Sequence, residues 1–250
     1  MNQASPVEMM IYLLAREVRN GELTAIGTLS PIPAAAAYLA QMTHAPKARL
    51  LVLDSPEWPF DSELEELFNL TQRGRLGLFF LSGAQIDRQA NVNLVAIGPY
   101  SRPKVRLAGG AGAVMVYLYA RRVALFLRRQ SARSLVERVD FVAAPGGSPG
   151  EALVYAKASG GPPALRPGGP CRLISDLAVF DYQPGQGLVL ASIHPGIELA
   201  QVQASTGFPL TISEPLAVSA VPDEETLELI RGPVKERLAK TYPVFAESEI

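Results

Sequence analysis

Leu76-Gly-Leu-Phe-Phe-Leu-Ser82, running directly into Gly83-Ala-Gln-Ile-Asp-Arg-Gln-Ala-Asn-Val-Asn93, is the stretch whose reading decides the fold. An unbroken apolar run of this length, closed by a serine and a glycine, reads as a strand buried on both faces. Gly83 then sits at the rim of a sheet. Asn91 and Asn93 flank the next apolar run, which ends at Ile97 with Gly98-Pro99, so this part reads strand, turn, strand. A second glycine cluster follows in Ser101-Arg-Pro-Lys-Val-Arg-Leu-Ala-Gly-Gly-Ala-Gly-Ala113. Gly-rich segments beyond strand ends are where α/β proteins hold ligands. The same local features also describe a well-made hairpin with no ligand.

The alternation extends upstream. Met9, Met10, Leu13, Leu14 and Val18 recur at helical spacing before Asn20-Gly21, which predicts an amphipathic helix over residues 6–20. A short strand is expected over 23–28, an Ala-rich helix from Pro31 to Met42, and a strand from Arg49 to Asp54. Strand, helix, strand is a parallel crossover unit. Asp61 or Ser62 would cap a further helix ending near Arg73-Gly74, ahead of the buried strand. Downstream, Val123 to Leu127 and Leu135 to Val142 read as strands. Ala143 to Pro170, dense in Gly and Pro, reads as a long surface excursion. Arg172 to Asp181 and Gly187 to Ile193, joined through Pro184-Gly-Gln-Gly187, predict a β-hairpin, with short helices near 198–206 and 223–229. The expectation is an α/β fold, one domain over 1–250, with a central, mainly parallel sheet flanked by helices and a C-terminal hairpin.

Composition narrows the function. The formal net charge is −1, so the chain lacks the electrostatic footprint of a nucleic-acid binder. Its single cysteine, Cys171, allows no internal disulfide and no thiolate cluster, and a cytoplasmic protein is expected. Two isolated histidines, His44 and His194, do not make a metal site. The apolar segment Met9 to Ala15 is too short to cross a membrane and lacks the basic start and cleavage site of a signal peptide.

Taken in order, several segments resemble the β subunit of the type I coenzyme A transferases, in particular the glutaconate CoA-transferase β-like branch. They are Gly27-Thr28, Ala45-Pro46, Gly83 to Asn93 with Ile97-Gly98 and Pro103, the Gly109-Gly-Ala-Gly112 loop, Val139-Asp140, the 172–193 hairpin and Thr206-Gly207-Phe208. That resemblance implies a separately encoded α subunit as partner and coenzyme A as substrate, with no further cofactor. It also implies a β-subunit glutamate at the end of the 49–54 strand, whose carboxylate attacks the acyl-CoA thioester to give an anhydride. This chain departs from that pattern. Ungapped from Ala45-Pro46, Leu53 occupies the glutamate's place, and the nearest acids are Asp54 and Glu57. Strand side chains alternate, so Asp54 would face the wrong side unless the backbone breaks there.

Asp87-Arg88, Val179-Phe180-Asp181 and Ser192-Ile193-His194-Pro195-Gly196 are similar to a second branch, the β subunits of steroid ring-degrading CoA-thioester hydrolases. There an acid of the α chain directs water. The expected function is transfer of coenzyme A between an acyl-CoA and a carboxylic acid. The alternatives are a thioester-hydrolysing or ring-cleaving subunit and a non-catalytic assembly subunit. Asp54 and Glu57 are the candidate catalytic acids. Gly83, Ala84, Gln85, Gly109, Gly110 and Gly112 are the candidate contacts to coenzyme A or to the developing oxyanion, since glycine amides can closely approach a thioester oxygen.

Overall fold

The computed structural model describes residues 4–146 and 169–250. Most of the expected surface excursion, residues 147–168, lies outside the described residues. An eight-stranded sheet carries the chain. Its parallel half consists of β1 (Leu23–Ile26), β2 (Arg49–Val52), β3 (Leu78–Leu81) and β8 (Arg122–Leu127), in the order β8-β3-β1-β2. β10 (Pro170–Ser175) continues in parallel beside β8, and β11 (Ala178–Gln183) and β12 (Gly187–Ile193) follow it as antiparallel neighbours. β13 (Thr211–Val218) closes the sheet, parallel to β12.

Strand alternation divides the core in two. Leu78 and Phe80 of β3, with Ala124 and Phe126 of β8, face α1 (Pro6–Ala15), α2 (Pro31–Met42) and the C-terminal helices. Phe79 and Leu81, with Val123, Leu125 and Leu127, face α3 (Glu63–Gln72) and α4 (Ala113–Tyr119). A strand apolar on both faces belongs in such a two-sided core. In α2 the alanines from Ala34 to Ala37 are fully buried, and their small side chains let the helix lie close on the sheet.

Beyond β3 the chain leaves the main sheet. β4 (Gln85–Asp87) pairs antiparallel with β5 (Val92–Asn93) and parallel with β9 (Leu135–Val136). β6 (Ala96–Ile97) and β7 (Val105–Arg106) make a second ribbon.

Four sequence expectations are corrected. The first helix stops at Ala15, because the next amides turn back by three residues, Glu17 N to Leu14 O and Val18 N to Ala15 O. The 172–181 strand is two strands: Ser175 Oγ accepts from the amides of Leu177 and Ala178 and turns the chain there. The strand expected over 135–142 is only Leu135–Val136. β13 was not assigned from the sequence; Pro215 lies within it, and β13 is accordingly an edge strand.

At the N-terminal end of the parallel strands, Arg122 donates to Glu22 (2.8 Å) and lies 3.5 Å from Glu17, while Glu17 also pairs with Arg172 at 2.7 Å. Arg122, Glu17 and Glu22 are largely shielded from water, and Arg172 less so. Replacing Arg122 with methionine is expected to leave two shielded carboxylates short of their partner and to cost about 3 kcal/mol, seen as a lower urea midpoint with unchanged slope.

Candidate functional site

The C-terminal ends of β1, β3 and β8 open onto a cavity of about 740 Å³. Gly27 to Ser30 after β1, Ser82 to Ala84 after β3, Arg128 after β8 and Leu107 to Ala113 ahead of α4 form its walls. Leu53 after β2 and Phe245 of the C-terminal helix (Pro243–Glu249) complete it. The two glycine clusters, at Gly83 and at Gly109 to Gly112, are therefore brought together although they are well separated along the chain. The remaining lining is mostly Leu, Phe and Val, and Arg128 is its only charged side chain among the described residues.

Each glycine has its own physical reason. A methyl group at Gly83 would overlap Val92 Cγ1 and stand 2.9 Å from the Asn93 carbonyl oxygen. One at Gly112 would overlap the ring of Phe68, which itself lines the cavity. Gly109 has φ +96° with open space around it, a backbone that only glycine adopts without strain. Some amides are already committed: Gly109 N donates to Leu94 O at 3.0 Å, and Ala84 N to Asn93 O at 3.0 Å. These bonds hold the two glycine loops on the β4–β5 hairpin.

Gln85 does not line the cavity. Its amide nitrogen donates to Asp140 Oδ2 (3.0 Å), and its oxygen accepts from Asn93 Nδ2 (2.8 Å) and Asp140 N (3.0 Å). Asn93, fully buried, also donates to Ala96 O and accepts from the amides of Val95 and Ala96. Gln85 is thus a strut beneath the rim, where the sequence reading had offered it as a contact to coenzyme A or the oxyanion. Asp87 braces the same hairpin by accepting from Gln89 N and Asn91 N at 3.0 Å.

Neither Asp54 nor Glu57 lines the cavity, and the wall at the end of β2 is Leu53. Leu53 N still donates to Ile26 O at 3.1 Å. The next residue, Asp54, is exposed and has φ +65°, so strict strand alternation ends there. Its charge acts on Tyr242, whose hydroxyl accepts from the amide of the cavity residue Ser30. Glu57 is held elsewhere. Arg237 donates to it through two nitrogens, at 3.1 and 2.7 Å, and Lys240 approaches to 3.7 Å. The Arg237 hydrogen bonds hold the Glu57 carboxyl below its usual range, against the opposing pull of burial. That interaction stabilises the fold above the ordinary carboxylate pKa and is lost as pH falls through the depressed value. Its energy is small because the pair is half-exposed.

Among the described residues, the cysteine and the two histidines have structural roles. Burial pushes the Cys171 thiol up to about 11, so it stays protonated at neutral pH. His194 is buried between Ser219 Oγ and Ser175 O, at 2.9 Å each, and burial lowers its pKa. His44 bonds Val18 O from the turn after α2. Arg128 pairs with Glu249 at 2.6 Å over the Phe245 ring, while Arg121 binds Gly74 O. Trp58 packs on the core edge against Phe60, outside the cavity lining.

A glycine-lined cavity at the carboxyl ends of parallel strands defines a ligand-binding α/β protein. Comparison with known proteins makes the class specific. Residues 54–205 match the family model for Coenzyme A transferase. The chain is 32% identical to the β subunit of 3-oxoadipate CoA-transferase from Pseudomonas knackmussii, over 93% of this chain and 94% of that one. It is 27% identical to the cholesterol ring-cleaving hydrolase IpdB subunit of Rhodococcus jostii, over 84% of each. Among solved structures it is similar to the decarboxylase AibA/AibB, with a TM-score of 0.77 and 30% identity over 95% of this chain and 98% of that one. This chain belongs to the coenzyme A transferase family.

Among the described residues, no helix is long and apolar enough to cross a membrane.

Proposed function

We propose that this chain is the β subunit of a heteromeric enzyme that transfers coenzyme A between an acyl-CoA and a carboxylic acid, with an α subunit of the same family as its partner. The observation that carries this reading is the cavity itself, where two glycine loops meet at the carboxyl ends of the parallel strands. It is supported by the likeness to a CoA-transferase β subunit along nearly the whole chain. The cavity takes the thioester. Amides of the Gly109–Gly112 loop face the charge that develops on the thioester oxygen, with Gly110 and Gly112 the ones not committed to Leu94. Coenzyme A is a substrate and no cofactor is needed.

Of the two acids, Asp54 is the in-chain nucleophile of this reading. It follows the cavity residue Leu53 at a break in the strand, whereas Glu57 is forked by Arg237. The Asp54 carboxylate adds to the thioester carbon and expels CoA thiolate, leaving an acyl-aspartyl anhydride. The thiolate then attacks the aspartyl carbonyl, releasing the acyl carboxylate and leaving an aspartyl-CoA thioester for the acceptor acid. A second reading has an acid of the α subunit direct water at the thioester, as in a hydrolase. It is favoured by the absence of any carboxylate from the lining contributed by the described residues.

The test incubates the αβ complex with acyl-CoA, traps with hydroxylamine and locates the modified peptide by mass spectrometry. Transfer through this chain predicts a hydroxamate on Asp54, lost in Asp54→Asn and retained in Glu57→Gln, whose kcat stays within about twofold of wild type because its charge serves Arg237. Free CoA without any adduct on this chain would replace this reading with the second.

A further inference from the structure

The β6–β7 ribbon joins the cavity at its base and carries a cationic, aromatic tip. Leu94, Leu107 and Gly109 line the cavity, and the ribbon is laced by Leu107 N to Val95 O (2.9 Å) and Lys104 N to Ile97 O (2.8 Å). At the tip, Arg102 N donates to Pro99 O (3.0 Å), and Gly98, with φ +85°, donates its amide to Asp140 Oδ2 (2.9 Å). The turn is therefore built before any ligand arrives. From Gly98 to Leu107 the sequence has Arg102, Lys104 and Arg106 and no acid. All three cations are exposed, and none pairs with a carboxylate among the described residues.

Tyr100 is 57% exposed, yet it is not loose. Its ring stacks on Phe141 with centroids 5.2 Å apart, and the Arg106 guanidinium lies 4.7 Å from its centroid while donating to Tyr100 O at 3.1 Å. A fixed aromatic–guanidinium layer is a platform for a nucleobase, and unpaired Arg and Lys beside it suit phosphate oxygens. Arg102 lies five residue steps from the cavity residue Leu107, about 16 Å of extended chain. That is the scale of an arm that holds a thioester at one end and a nucleotide at the other.

We propose that the Gly98–Leu107 ribbon docks the 3′-phospho-ADP end of coenzyme A, with phosphates on Arg102 and Lys104 and the purine on the Tyr100–Arg106 layer. The pantetheine arm then runs along the ribbon into the cavity. This inference rests on the reading of the chain as a CoA-thioester enzyme, and it adds the residues that recognise the nucleotide.

The experiment measures binding of CoA, of pantetheine and of free 3′-phospho-ADP to the αβ complex by calorimetry, for wild type and for the R102Q/K104Q double variant. Both positions are exposed, so the variant folds. Each lost charge-assisted contact is worth about tenfold, so Kd for CoA and for 3′-phospho-ADP is expected to rise about a hundredfold, with pantetheine changed no more than about twofold. Wild-type affinity for CoA is also expected to weaken with added salt. A double variant that binds CoA as wild type does, in a complex that turns over acyl-CoA, overturns the ribbon site and leaves the proposed function standing. A wild-type complex that binds neither CoA nor acyl-CoA overturns both. Binding of 3′-phospho-ADP that is lost in the variant, in a complex inactive on every acyl-CoA, supports the ribbon site and removes the enzymatic reading.

Discussion

Asn93→Leu is expected to lower stability by about 3–5 kcal/mol, the largest thermodynamic effect of any single change at the rim. The side chain is fully buried and donates to Gln85 Oε1 and Ala96 O while accepting from the amides of Val95 and Ala96. Leucine keeps the branched shape but is bulkier, so no cavity opens and some overpacking adds to the cost. What is lost is hydrogen bonding: Ala96, itself fully buried, keeps an amide and a carbonyl with no partner from position 93. For a chain of this size the melting temperature should fall by about 10 °C or more, measurable by calorimetry. Because Ala84 N is held on Asn93 O, the Gly83–Ala84 wall loosens with it and activity should fall further than stability alone requires. Asn93→Asp is the informative companion. It keeps the acceptor for the two amides, but its second oxygen faces Gln85 Oε1 and Ala96 O, so it should recover part of the melting temperature only at pH low enough to protonate that oxygen.

Gly112→Ala is expected to slow turnover strongly with little loss of fold. The added methyl overlaps the Phe68 ring. That ring is a cavity wall, partly exposed, at the end of a side chain that can swing away. The direction left to it is into the cavity, where it displaces the thioester from the glycine amides. A displacement of about 1 Å costs on the order of a hundredfold in kcat/KM. Stability should change by about 1 kcal/mol, since the clash is with the end of one side chain and not with backbone. Phe68→Ala in the Gly112→Ala background should restore much of the rate by making room. A double variant as slow as Gly112→Ala would mean that Gly112 matters for its backbone and not for the space around Phe68.

The parts of this architecture that were legible in the sequence share one property: local pattern and tertiary role agree. The run from Leu78 to Leu81 is apolar without interruption because both of its faces are covered, and it lies between two parallel strands near the middle of the sheet. The Ala-rich helix read correctly for the same reason, whereas the strand expected between Asn91 and Ile97 is the two short strands β5 and β6, and β4 was not foreseen. Where the two conflict, elements went unassigned, as past Leu229. Gly232-Pro233 looks like a helix break, yet the chain absorbs it in a π-turn over Ile230–Val234 and continues helical, because Ile230, Val234 and Leu238 are buried against the first core. That segment leads to the helix that brings Phe245 to the cavity.

The site was legible in part. Both glycine loops were placed at strand ends in the sequence, and their convergence on one cavity comes from the fold. Gln85 was ambiguous because a polar residue beside a glycine turn carries the same signal whether it faces a ligand or braces the loop. Only its partners Asn93 and Asp140 separate the two. Glu57 is the same kind of case, since its partner Arg237 lies 180 residues away in sequence. Asp54 is different. Alternation alone would turn it from the cavity, and the left-handed backbone at that residue removes the premise.

The most direct measurement is turnover by the purified complex of this chain with its α partner, given an acyl-CoA and a panel of free carboxylic acids, with products followed by liquid chromatography and mass spectrometry. The account predicts a new acyl-CoA formed from the acceptor acid as the donor acid is released, and loss of that activity in Gly112→Ala. Stoichiometric free CoA with no new acyl-CoA, or no consumption of any thioester, would contradict it.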